Sequence, residues 1–110
     1  MPAVGGYVID YNCGSNQPWK AEIRCFTSTN IPLGNEVAVV RFYDGAVPAP
    51  GKVGGIPVVN YPISRFSDVV SIFRDEVHVV VDKFFYTSAG QAVDCWGVSG
   101  GVAPAAEMQP

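Results

Sequence analysis

The run Ser64-Arg65-Phe66-Ser67-Asp68-Val69-Val70-Ser71-Ile72-Phe73-Arg74 is the one break in an otherwise strand-like pattern. Phe66, Val69, Val70 and Phe73 stand at i, i+3, i+4 and i+7, one face of a helix with a period of about 3.6 residues. Strand-like segments lie on both sides of it. That order restricts the chain to a few small α+β arrangements, because a lone helix has to bury its stripe against a sheet.

Three strands are expected before the helix. Tyr7-Val8-Ile9-Asp10-Tyr11 puts Tyr7, Ile9 and Tyr11 on one face. Lys20 to Thr27 alternates most cleanly, with Ala21, Ile23 and Cys25 inward and Lys20, Glu22 and Arg24 toward solvent. Glu36 to Tyr43 has apolar residues on both faces, which predicts a central strand covered on both sides. Asp44 to Ile56 is rich in Gly and Pro and reads as a long loop, with 45–55 expected to be the most mobile ordered part of the chain, either a candidate lid or a solvated connector from the third strand to the helix. Val58-Val59-Asn60 reads as a short edge strand ended by Pro62.

Ser64 is placed to cap the helix, Asp68 sits near its positive end, and Glu76 argues for a stop near Arg74. Val77 to Tyr86 is a β-branched and aromatic run, followed by a turn over Thr87-Ser88-Ala89-Gly90 and a strand Gln91 to Trp96. The expected fold is α+β: a strongly bent five- or six-stranded antiparallel sheet or small barrel, with one helix between strands 3/4 and the C-terminal hairpin. A single domain over 1–98 and a flexible Gly/Ala/Pro-rich tail over 99–110 complete it.

The stretch from Phe66 to Val79 resembles one found in small uncharacterised bacterial proteins. There a short helix ends in Leu-Arg-Asn-Glu before a strand near the carboxyl end; here Phe73 and Asp75 stand in place of that Leu and Asn. The resemblance covers about a quarter of the chain. It implies a helix followed by a hairpin and a bacterial origin, and it implies no activity.

Composition narrows the function classes. A net charge of −3 and no basic run weigh against nucleic acid, whose binding rests on clustered Lys and Arg. No apolar run approaches the roughly 20 residues that span a bilayer, and Met1-Pro2-Ala3-Val4-Gly5-Gly6 lacks the look of a secretory signal. Cys13, Cys25 and Cys95 have no metal-like spacing and are odd in number, so the chain is expected to be cytoplasmic with reduced thiols. A secreted protein shown without its signal is the alternative.

No catalytic set stands out. His78 and Asp82 share a strand face but lie roughly 13 Å apart. Cys13 has no visible base to activate it, and Cys25 and Cys95 read as small core residues. Asp10 and Glu22 on neighbouring strands fit a solvated charge ladder with Lys20 and Arg24. Gly51-Lys52 is followed by Val53, so a phosphate loop fails, and no metal or cofactor is expected.

The aromatics carry more weight than the charges. Tyr11, Trp19, Phe26, Tyr43, Phe84, Tyr86 and Trp96 exceed what so small a core can hold, and Phe26 falls on a polar strand face. The candidate ligand-binding residues are Trp19, Phe26, Tyr43, Lys52, Tyr86 and Trp96, lining a groove beneath loop 45–55 for a small aromatic or sugar-like ligand. The leading expectation is an interaction domain that self-associates as a dimer, rather than an enzyme. The alternatives are that ligand-binding domain and a minor hydrolase or isomerase using His78, Cys13 or a carboxylate.

Overall fold

In the computed structural model the described residues are 4–11, 18–28, 34–75, 79–88 and 91–100, with 83–88 and 91–95 described by their backbone. The elements are β1 (Gly6–Tyr11), β2 (Ala21–Phe26), β3 (Glu36–Tyr43), β4 (Gly51–Val53), β5 (Ile56–Pro62), a 3-10 turn (Ile63–Arg65), α1 (Phe66–Asp75), β6 (Val80–Ser88) and β7 (Gln91–Ser99). This is an α+β chain with one helix among the described residues, as expected, and the helix is followed by a β-hairpin.

The main sheet has the order β1-β2-β3-β5-β4, and β6 pairs with β7 in a separate two-stranded sheet. Two expectations are corrected here. The five strands form an open sheet with β1 and β4 at its edges, not a barrel. The sheet is also mixed rather than antiparallel, because β5 runs parallel to β3 from Val39↔Val58 to Tyr43↔Pro62. The chain leaves β3, crosses to the outer edge as β4, and turns back so that β5 inserts between them. The strand expected at 58–60 is therefore longer, and it is internal rather than an edge.

The turn responsible is Gly54-Gly55, with φ of 58° and 81°. Positive φ at both central residues of a two-residue loop is the type I′ requirement, which glycine meets without steric cost. It joins Val53 to its partner Ile56. The expected long loop over Asp44 to Ile56 is thus an extended arm, 44–50, followed by a tight hairpin.

Cross-strand pairing stacks the inward residues into rows. Ile9, Ile23, Val40 and Val59 are partners in succession, as are Tyr11, Ala21, Phe42 and Tyr61. Ala21, Ile23 and Cys25 are all almost fully buried, as their alternation predicts. The helix lies on this face: Val69 and Phe73 are buried, and Phe66 packs edge-on against Phe42 at 5.0 Å and Tyr11 at 5.1 Å. Phe73 meets Tyr7 at the other end of β1, 5.1 Å between ring centres. Val79 and Val81 join the same core, and Trp96 and Val98 pack against it from β7.

The helix begins later than expected. Ser64 lies inside the 3-10 turn rather than capping α1, and Pro62 precedes that turn without a capping hydrogen bond. Proline suits this place because its fixed φ ends β5 and starts a turn without needing a donor. Asp68 in the first turn of α1 and Arg74 in the last complement the helix dipole. β7 continues through Ser99, three residues past the expected end, and residues 101–110 of the expected tail lie outside the described residues.

Candidate functional site

The face of the sheet away from the helix carries one transverse polar row. Asp10 on β1 pairs with Glu22 on β2, Glu22 with Arg41 on β3, and Arg41 with Asn60 on β5. All four project to the same side because each is in register with the next. Asp10 and Glu22 are like charges placed opposite, an arrangement that destabilises a sheet unless a cation intervenes. Arg24 is that cation: its Nε lies 3.4 Å from Asp10 Oδ2 and 4.0 Å from Glu22 Oε1. On the other flank, Arg41 Nε donates to Glu22 Oε2 at 2.9 Å. The Asp10, Glu22 and Arg24 part of the expected cross-strand ladder is present, and Arg41 extends it by one strand.

Trp19 completes the row. Lys20 N donates to Phe42 O at 2.7 Å, prolonging the β2–β3 pairing by one step and setting Trp19 beside β3. The Arg41 guanidinium then lies 3.8 Å from the Trp19 ring centre. A cation over an indole face is attracted by the ring quadrupole, and the contact restrains the guanidinium. Arg24 sits over Phe26 in a looser version, 5.9 Å from that ring. Beneath these long side chains Phe26, Val39, Tyr43 and Val58 are all buried, 6–8% exposed. The arginine stems are part of what shields that apolar layer, with the charged heads held outward.

The six residues expected to line a ligand groove divide between the two faces. Trp19, Phe26 and Tyr43 belong to the polar-row face, with Phe26 at the opposite end of β2 from Trp19. Trp96 packs against the core from β7. Lys52 is exposed at the middle of β4, opposite Pro57. The backbone of Tyr86 pairs with Val93, and its side chain lies outside the described residues. Cys13 and His78 also lie outside them.

Sequence reasoning does not single out Arg41 and Asn60. Arg41 interrupts an apolar strand, and that interruption is the available signal. Asn60 Nδ2 donates to the carbonyls of Pro48 and Ala49, at 3.2 and 3.3 Å, fastening the arm across this face. Cys25, on the core side, has its thiol pushed up to about 12 by burial and secondarily by the Glu36 carboxylate, so it stays protonated and unreactive. Among the described residues no group of three or more His, Cys, Asp or Glu is placed to hold a metal, and no helix is long and apolar enough to cross a membrane.

Compared with known proteins, the chain matches no family model, no curated protein and no solved structure.

Proposed function

We propose that this chain is an interaction domain that self-associates, and that the contact is made by the arm 44–50 together with β4. The carrying observation is where apolar surface is left uncovered. Of the three large hydrophobic side chains exposed among the described residues, Val47 (40%) and Val53 (67%) both lie on this unit. The whole of 44–50 is exposed, and Ala46, Pro48, Ala49 and Pro50 add to its apolar character. Such a patch is informative when it is also held in place, and here the Asn60 clamp and the type I′ turn fix both ends.

The contact works through side chains rather than by joining β4 edges. Antiparallel pairing centred on Lys52 would set two lysines opposite each other, a device that blunts exposed edges. Isologous packing of Val47 and Val53 against the same residues of a second copy avoids that clash. Sedimentation at tens of micromolar should show a dimer, and the double variant Val47→Asp/Val53→Asp should run as a folded monomer. A wild-type chain that sediments only as monomer overturns the reading.

A further inference from the structure

We propose that Arg24 and Arg41 form a binding site for a small oxyanion, a carboxylate or phosphate group, on the sheet face away from the helix. This goes beyond self-association and uses a different surface. Glu22 stands between the two arginines, one carboxylate oxygen toward each. Both contacts are made through Nε, the side edge of the guanidinium, and no hydrogen bond from either pair of Nη groups is present among the described residues. The Nη groups are not buried either. The only buried side-chain polar atoms without a hydrogen-bond partner among those residues are Arg24 Nε and Asn60 Oδ1. The Nη groups of both guanidiniums therefore keep some contact with solvent, on side chains that are 41% and 27% exposed.

Three features separate this from two ordinary surface arginines. Register sets both beside one glutamate, Arg41 directly opposite and Arg24 two residues along the same strand. Trp19 at 3.8 Å restrains the plane of the Arg41 guanidinium, and that side chain is only 27% exposed. Arg24 Nε, a buried donor in this same row, has no hydrogen-bond partner, so the protein does not satisfy every donor of the site by itself. A planar fork held in advance loses little freedom when it meets an oxyanion, and its geometry matches carboxylate or phosphate oxygens in pairs. Asp10 and Glu22 balance the two positive charges, which sets the expected affinity in the millimolar range rather than tighter.

The test is a titration of the full chain, at constant ionic strength, with inorganic phosphate and separately with acetate. The side-chain Nε–H signals of Arg24 and Arg41 and the indole N–H of Trp19 are followed by NMR. The expected result is a saturable, concerted shift of all three. Arg41→Gln should weaken binding about tenfold, since one charge-assisted contact is lost. Lys52→Ala, on the far edge, should leave it unchanged. Should Arg41→Gln fail to fold, Arg24→Gln carries the same test from a more exposed position. Saturation by phosphate alone or by acetate alone supports the site and assigns its anion. No saturation by either, or equal binding in the arginine variants and wild type, overturns it.

Discussion

Cys25 shows how much a single position owes to simple alternation. Its place in the series Ala21, Ile23, Cys25 predicts an inward thiol, and the side chain is fully buried. The consequence for pH follows from its raised value. The thiol ordinarily ionises near 9.0, and in the fold it does so at about 12. Between those values the unfolded chain has lost the proton while the native chain keeps it. Stability from this group is therefore complete below pH 9 and falls as pH rises toward 12, by about 1.4 kcal/mol per unit. Urea unfolding from pH 8 to 11 should show wild type losing stability faster than Cys25→Ala; parallel curves would count against this. Gly5 is not legible in the same way. Its N–H binds Phe26 O at 2.8 Å, and any Cβ there would run into the Thr27 carbonyl, a crowding that only pairing across strands creates.

At the scale of elements, β1, β2, β3 and α1 are readable because each has several residues on one period. β4 is not, for it has only Gly51, Lys52 and Val53, too few to alternate. The signal that exists is Gly54-Gly55 between Val53 and Ile56, a hairpin pair hidden inside a glycine-rich run that reads as loop. The side chain that ties this region down, Asn60, acts on carbonyls 11 and 12 residues away, which no local pattern reveals. Asn60→Ala removes both hydrogen bonds and leaves β5 its backbone pairing. Hydrogen exchange in that variant should quicken for the amides of the 44–53 unit, with β2 and β3 unchanged. A rate in 44–53 equal to wild type would show that the arm is held by something else.

For the molecule as a whole, the α+β class and the helix-then-hairpin order are legible, and the layout of the sheet is not. An apolar β3 does announce that it is central. Nothing local says that its neighbour β5 runs parallel, since that pairing depends on where an intervening strand is discarded to. The polar row has the same character: Asp10, Glu22, Arg41 and Asn60 are scattered over 51 residues and become one feature only through register. The bent barrel fails because β4, at the far edge, has β5 as its partner and does not reach β1. The proposed dimer and the proposed oxyanion site would then occupy separate parts of one sheet, the outer edge and the middle of a face.

Inserting β5 between β3 and β4 also sets a minimum length of chain. From the top of β3, where Tyr43 is level with Pro62, the arm must reach Gly51, level with Val58 and two strands over. Two strand spacings and four residues of descent amount to roughly 16 Å. The present connection can extend to about 28 Å, whereas one shortened by four residues reaches about 14 Å. The arm should accept insertions freely and reject deletions abruptly. Removing Ala46 to Ala49 should abolish cooperative thermal unfolding, while adding four residues there should leave the melting temperature within a few degrees. A family descended from this chain would drift toward longer arms and never toward much shorter ones.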